Sequence, residues 1–311
     1  MKNRIFVSGL LWIGLLLTNC TAPTIKTAET TQNSGVIENQ NEPLIIGIIP
    51  DSNPQKQQRQ SKKLAAYLES ELDLPVEDRS IANSTAAVRE FKQGDLELVW
   101  LDGLSGVKAR SKVRGANAII QREIDEQFHS LFIANKNSGL IPFNDISELE
   151  KLRGNTIIFA GESSISGRIM PQYFLQQAGV TLDDFREKIG FSVTPDYTIR
   201  QVERGAYEVG VVNETAWQQK VDTNKINLDK VYVIWRTPAY SNYHWTLHPK
   251  VEQKYGKEFV EKLQQAFLNL DPSIPNEKEI LDLFNTSRFI QTDNQNYNAI
   301  EQISKQLNLI Q

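Results

Sequence analysis

Residues 155–167, NTIIFAGESSISG, join an apolar run to a turn rich in serine and glycine. The run predicts a buried strand, and the apolar spacing after Gly167 predicts an amphipathic helix that Gly179 ends. The first N–H groups of a helix lack carbonyl partners and lie at the positive end of the helix dipole, so this turn favours an anion. The serines add hydroxyl donors, and Gly167 allows close backbone approach. An ordinary helix cap is the alternative interpretation.

The spacing of this turn excludes two enzyme motifs. A Walker phosphate loop needs lysine and then a hydroxyl residue after its second glycine, whereas Arg168 and Ile169 stand there. A nucleophile elbow needs serine at the centre of G-x-S-x-G, and the corresponding residue is Ile165. The three histidines and one cysteine show no metal-ligand spacing. We therefore expect no catalytic residue, no metal and no cofactor.

Strands and helices alternate on both sides of the turn, which predicts an α/β protein. The predicted strands are 44–49, 76–80, 96–101, 117–121, 129–135, 155–160, 191–193, 208–212 and 231–235, the last one clear in the sequence. The predicted helices are 57–72, 85–93, 146–152, 167–178, 198–204, 216–219, 251–270, 277–284 and 297–307.

This alternation falls into two series, so we predict two lobes. Residues 43–134 and 238–311 form lobe 1, and residues 135–237 form lobe 2. Each lobe is a sheet flanked by helices, and helix N-termini at the carboxyl ends of the strands line a cleft between the lobes. The crossovers near residues 135 and 238 then form the hinge of a closing clamp.

The N-terminal residues carry an export signal. Residues 1–19 combine two early basic residues with an apolar run too short for a permanent membrane helix. Cys20, the only cysteine, follows directly and has no partner for an internal disulfide. Its position resembles a bacterial lipoprotein signal, in which this cysteine is lipidated, although Asn19 replaces the usual small residue. An uncleaved signal anchor with a free thiol is the alternative.

The polar residues 20–42 then predict a flexible tether, and the expected location is the periplasmic face of the cell membrane. The formal net charge of the whole chain is −4, and removal of the signal makes the protein more acidic. Because no basic stretch interleaved with aromatics occurs, nucleic acid is not an expected partner. Charges beyond about 8 to 10 Å are screened, so an acidic protein can still bind an anion.

Several segments together resemble the substrate-binding proteins of phosphonate and phosphite ABC importers, and more closely a subgroup described as selenate binders. The segments are IIGIIPDSNP at 45–54, GDLELVWLDGLSGVKAR at 94–110, ANAIIQREIDEQFHSLFIAN at 116–135, ESSISGRIMPQYFLQQAGV at 162–180 and VIWRTPAYSNYHW at 233–245. The resemblance implies a type II periplasmic-binding-protein-like fold. It also implies a monomer that binds a small oxyanion of the phosphonate, phosphite, phosphate or selenate class and serves an ABC permease and ATPase. A sensing module of the same fold, serving a receptor, is the alternative.

The resemblance places the oxyanion at the turn formed by Ser164, Ile165, Ser166 and Gly167, where Ile165 replaces the family's usual threonine. The other candidate ligand-binding residues are Ser84, Trp100, Leu101, Asp102, Asn213, Glu214, Tyr240 and Asn242. Four positions depart from the family pattern: Ser84 for tyrosine, Leu101 for an aromatic residue, Pro195 for histidine and Asn242 for aspartate.

For several of these candidates a structural role is the alternative. Trp100 fits a core position as well as a cleft position. Asn213 and Glu214 fit a helix cap, and Tyr240 fits packing between the lobes.

Overall fold

The computed structural model describes residues 42–49, 54–187 and 189–310 of the 311-residue chain. The predicted signal segment, Cys20 and the tether up to residue 41 lie outside these residues. Within the described residues no helix is both long and apolar enough to span a bilayer.

The described residues contain eleven strands and eleven α-helices. The strands are β1 (Leu44–Ile48), β2 (Val76–Arg79), β3 (Leu98–Leu101), β4 (Asn117–Arg122), β5 (Ser130–Asn135), β6 (Ile157–Ala160), β7 (Gly190–Ser192), β8 (Val209–Asn213), β9 (Val231–Arg236), β10 (His244–Leu247) and β11 (Phe289–Gln291). The helices are α1 (Pro54–Leu72), α2 (Ser84–Gln93), α3 (Gly103–Lys112), α4 (Glu123–Glu126), α5 (Met170–Gln177), α6 (Pro195–Glu203), α7 (Glu214–Asp222), α8 (Lys250–Tyr255), α9 (Lys257–Leu268), α10 (Pro275–Leu283) and α11 (Asn298–Gln306).

The strands form two separate sheets flanked by helices, which confirms the α/β prediction. The first sheet has the order β11-β4-β10-β3-β1-β2, and the second has the order β7-β6-β8-β5-β9. The strands β1, β2 and β3 pair in parallel, as do β6, β7 and β8. Because each of these strands runs into a helix, the helix N-termini gather at the carboxyl edge of each sheet.

The sequence shows no clear strand after 231–235, whereas the structure has two. Strand β10 lies in the middle of the first sheet, antiparallel to both β3 and β4, and β11 lies at its edge. All four residues of β10 are buried, so this strand has neither the length nor the alternation that marks a strand in a sequence. The single helix predicted over 251–270 is wrong, because Gly256, at φ +86°, separates α8 from α9.

The two crossovers between the sheets lie side by side. Residues 123–129 connect β4 to β5, and residues 237–243 connect β9 to β10. The backbones of Phe128 and Tyr240 exchange two hydrogen bonds, of 3.2 and 3.0 Å. Because β5 pairs within the second sheet, the first crossover precedes residue 130, and the expected lobe boundary after residue 134 is corrected to that point.

A buried ion pair fixes both crossovers to the first sheet. Two guanidinium N–H groups of Arg122 donate to the Asp125 carboxylate at 2.5 and 2.9 Å, and the Tyr243 N–H donates to the same carboxylate at 3.3 Å. The Arg122 guanidinium also lies 5.4 and 5.3 Å from the ring centroids of Trp100 and Tyr243. Asp125 is 0 % exposed and the Arg122 side chain is 13% exposed, so the carboxylate is shielded from water.

Helix α11 connects the two lobes through one apolar core. Its Ile300 and Ile303 are buried together with Leu104 of α3 and with Ile165 and Ile169, which precede α5. The C-terminal helix therefore packs against elements that lead from both sheets.

His244, the first residue of β10, is fully buried and predicts a pH dependence of stability. Its Nε2 bonds Arg110 and its Nδ1 lies 3.0 Å from the Asn242 carbonyl. Burial, and then the charge of Arg110, hold the pKa of His244 well below its ordinary 6.5. The unfolded chain therefore takes up a proton near pH 6.5 that the folded chain does not.

The free energy of unfolding should consequently decrease as the pH falls below 6.5, by up to about 1.4 kcal/mol per pH unit, until the lowered native pKa is reached. A His244→Gln variant keeps an acceptor for Arg110 and should show a shallower slope between about pH 7 and 5 in chemical denaturation. An unchanged slope would show that His244 is not the group responsible.

Candidate ligand-binding site

The turn after β6 leaves two neighbouring backbone donors without partners. The Ser164 hydroxyl caps the turn by accepting the Gly167 N–H at 2.9 Å, and the Ser164 carbonyl accepts the N–H groups of Arg168 and Ile169 at 3.0 Å. Residues 165–169 form one π-helical turn that continues into α5. No acceptor among the described residues takes the N–H of Ile165 or of Ser166. Both groups can therefore donate to an oxyanion at the positive end of the helix.

Gly167 is required at this turn by the strand that precedes it. A Cβ added at Gly167 would lie 1.8 Å from the carbonyl oxygen of Ala160, which ends β6. The sequence predicts that this glycine lets the backbone approach a ligand, whereas the structure shows that it lets the turn pack on its own strand.

Ile165 contributes its backbone to the turn and its side chain to the core. The side chain is 4 % exposed and packs with Ile169 and with Ile300 and Ile303 of α11. An isoleucine here therefore retains the N–H donor and stabilises the contact between the turn and the C-terminal helix.

A buried hydroxyl network joins the turn to the second crossover. The Ser130 hydroxyl donates to the Ser166 carbonyl at 2.7 Å, and its oxygen lies 2.7 Å from the Tyr240 hydroxyl. Since the single proton of Ser130 goes to Ser166, Tyr240 is the donor to Ser130. Burial raises the pKa of Tyr240 well above its ordinary 10, so the phenol stays protonated. Ser130 was not predicted from the sequence, where it is one polar residue at the start of an apolar run.

Asn213 and Glu214 lie beside this network and have structural partners. Ser130 is the strand neighbour of Asn213, whose side chain caps α7 by accepting the Ala216 N–H at 2.7 Å. Glu214 accepts two hydrogen bonds from Arg236, of 2.6 and 2.8 Å, and these lower the pKa of Glu214. The geometry favours the helix-cap interpretation for this pair.

Residues of both lobes line a cavity of about 880 Å³. Ser84 at the start of α2 and Asp102 at the cap of α3 line it from the first lobe, Ser163 lines it from the second, and residues 308–310 close it behind α11. The Asp102 carboxylate accepts the N–H and the hydroxyl of Ser105, at 3.0 and 2.7 Å. The structure therefore places Ser84 and Asp102 in the same cavity as Ser163, the residue directly before Ser164.

Three other candidates lie away from this cavity. Trp100 is 5 % exposed and stacks on Tyr243 with ring centroids 5.8 Å apart, inside the core of the first lobe. Leu101 is 0 % exposed in a neighbouring core. The Asn242 side chain accepts the Gly103 N–H at 3.3 Å and so connects the second crossover to the start of α3. The core interpretation holds for Trp100 and Leu101, and Asn242 has a structural partner.

Two arginines, Arg168 and Arg122, have other partners. Arg168 donates to the Glu162 carbonyl at 2.9 Å and lies 4.9 Å from the Phe191 ring centroid, while Arg122 belongs to the buried pair at the crossovers. Across the described part of the chain, no three His, Cys, Asp or Glu side chains are grouped closely enough to hold a metal ion.

The chain matches a family described as ABC transporter, phosphonate, periplasmic substrate-binding protein, over residues 46–297. It is 39% identical over 268 residues, which are 86% of this chain and 90% of the relative, to a probable ABC transporter phosphite binding protein, PhnD1, from Prochlorococcus marinus strain MIT 9301.

Solved structures agree with these matches. PhnD1 from Prochlorococcus marinus in complex with methylphosphonate has a TM-score of 0.71 at 39% identity, covering 86% of this chain and 98% of that chain. A binding protein component of an ABC phosphonate transporter from Pseudomonas aeruginosa has a TM-score of 0.60 at 17% identity, covering 85% and 86%, and shares the fold.

Proposed function

The chain belongs to the family of periplasmic substrate-binding proteins of phosphonate ABC transporters, and on this basis we propose how it binds its ligand. It is therefore the substrate-binding component of a phosphonate or phosphite transporter and acts outside the cytoplasm. Its relatives are binding proteins, not enzymes.

The proposed ligand is a small phosphonate-type oxyanion whose oxygens accept the N–H groups of Ile165 and Ser166. The observation that carries this proposal is that these two adjacent donors lack a partner among the described residues and belong to the turn whose Ser163 lines an open cavity. The Ser164 hydroxyl accepts from Gly167, so its own proton is free to donate to the same anion. A solved relative at 39% identity holds methylphosphonate, which makes that compound the first probe.

The rest of the ligand would extend into the cavity toward Ser84 and Asp102. These residues belong to the first lobe, whereas the turn belongs to the second, so a bound ligand would contact both. The adjacent crossovers at 123–129 and 237–243 are then the proposed hinge. In this proposal the monomeric closed form is the one that the permease and its ATPase accept.

Replacing Ser164 and Ser166 together with alanine tests the placement of the anion. The double variant should bind methylphosphonate at least about tenfold more weakly in calorimetry, because it loses the Ser164 hydroxyl, which caps the turn and can donate to the anion. A Thr181→Ala variant removes a comparable cap elsewhere in the same lobe and should leave the affinity unchanged. An unaltered affinity in the double variant would contradict the placement.

Lipid attachment at Cys20 is the proposed means of holding the protein at the membrane. The position of the cysteine directly after the apolar run supports it, and two acyl chains give a stable anchor where one is marginal. A Cys20→Ser variant should move from the membrane fraction to the soluble fraction. Mass spectrometry should show a lipidated Cys20 as the first residue of the wild type; an intact Met1 with a free thiol would contradict this proposal.

A further inference from the structure

The cavity next to the turn carries an excess of positive charge in a protein that is acidic overall. Arg89 and Lys92 of α2 and Lys108 and Lys112 of α3 line it, against the single carboxylate of Asp102. That carboxylate is already engaged by Ser105. Walls of one charge sign around a cavity raise the local concentration of ligands of the opposite sign.

The basic residues occupy the end of the cavity that lies away from the helix N-termini. Along α3 the cavity residues Ser105, Lys108 and Lys112 are spaced at three and four positions, so they share one face of the helix. With a rise of about 1.5 Å per residue, Lys108 begins about 9 Å and Lys112 about 15 Å from Asp102 along the axis. In α2, likewise, the hydroxyl residue Ser84 lies at the N-terminal end of the helix and the basic residue Arg89 lies further toward its C-terminal end.

Of the four basic residues that line the cavity, only Arg89 forms an ion pair with a described residue. Arg89 has a partner, since it bonds Glu90 at 3.3 Å. Lys92, Lys108 and Lys112 have no ion pair among the residues that the structure describes. Lys92 and Lys112 lie in last helical turns, where the helix dipole favours a cation, but Lys108 is half-buried in the middle of α3. A half-buried lysine that lines a cavity without a carboxylate partner is available to an anionic ligand.

We propose that the ligand of this site carries a second anionic group, and that Lys108, assisted by Lys112, binds it while the phosphonate head occupies the turn. The ligand class is then organophosphonates with a carboxylate or a further phosphate at the other end. This inference rests on the proposed function. The volume of about 880 Å³ agrees with it, because sites for organic ligands span about 300 to 1,000 Å³ and a one-carbon phosphonate would fill little of this space.

Two ligands of matched length test the inference by calorimetry on the full chain. We expect 4-phosphonobutyrate to bind about tenfold more tightly than butylphosphonate, which has a methyl group in place of the carboxylate. A Lys108→Met, Lys112→Met double variant should lose this tenfold advantage and bind methylphosphonate within about twofold of the wild type. A Lys225→Met variant, which removes a charge outside the cavity, should keep the advantage.

The outcomes separate this inference from the proposed function. If the carboxylate gives no advantage, or if the advantage survives in the double variant, the second anion position is wrong while the phosphonate site stands. If none of the three ligands binds the wild type, the proposed function itself fails and the inference fails with it. Melting temperatures of all variants within about 2 °C of the wild type would show that the lysine changes act on binding and not on folding.

Discussion

A Gly167→Ala variant should lose methylphosphonate binding and unfold at a lower temperature. The added Cβ would lie 1.8 Å from the Ala160 carbonyl oxygen and 2.6 Å from its carbon, and both are backbone atoms that no rotamer change can move away. The turn must therefore separate from β6, which displaces the N–H groups of Ile165 and Ser166. We expect a loss of about 3 kcal/mol in the free energy of unfolding and at least a hundredfold loss of affinity.

Gly139 provides the matched control for this change. It has φ +74° with no atom within 4 Å of an added Cβ, so Gly139→Ala introduces backbone strain without a clash. That variant should lose about 1 kcal/mol of stability and keep full affinity for methylphosphonate. If Gly167→Ala behaves like Gly139→Ala in both measurements, the close packing of the turn on β6 is not what supports the site.

An Asp125→Ala variant should have the largest effect on stability. Asp125 is 0 % exposed, and its removal leaves the Arg122 guanidinium buried beside two aromatic rings without its carboxylate. Removing one partner of a buried ion pair costs about 3 to 5 kcal/mol, which corresponds to a decrease of about 10 °C in melting temperature. The Tyr243 N–H also loses its acceptor, so the contact between the two crossovers should loosen.

Glu123, in the same short helix, is the matched control for Asp125. It pairs with Arg288 at 2.8 Å, but the side chains of Arg288 and Glu123 are 64% and 41% exposed, so Glu123→Ala should leave the melting temperature close to that of the wild type. A double variant in which Arg122→Leu accompanies Asp125→Ala should recover part of the lost stability, because no unpaired charge remains buried. Equal melting temperatures for Asp125→Ala and Glu123→Ala would contradict a structural role for the pair.

The parts of the fold that depend on local pattern could be predicted from the sequence. The run 155–160 and the serine-glycine turn after it have clear signals, and the structure shows a strand and a helical turn there. Strand β10 could not be predicted, because its four residues gain their place in the middle of a sheet from pairing with β3 and β4, which are distant in sequence.

In the candidate site, too, some residues could be predicted from the local sequence pattern and others could not. Ser84 and Asp102 follow predicted strands, and the edge of a parallel sheet brings such residues to one cavity. Trp100 has an equally favourable position in the sequence, yet its side chain lies in the core of the first lobe, and the next residue, Leu101, is buried in a neighbouring core. Ser130 and the lysines of α2 and α3 were not predicted because their roles depend on contacts between elements far apart in the chain.

The most direct test of the proposed anion site is the amide spectrum of the 15N-labelled protein during titration with methylphosphonate. We expect the Ile165 and Ser166 amides to show the largest shifts, because each N–H would donate to the oxyanion. Saturable binding with both of these amides unmoved, and with the largest shifts in another part of the chain, would contradict it.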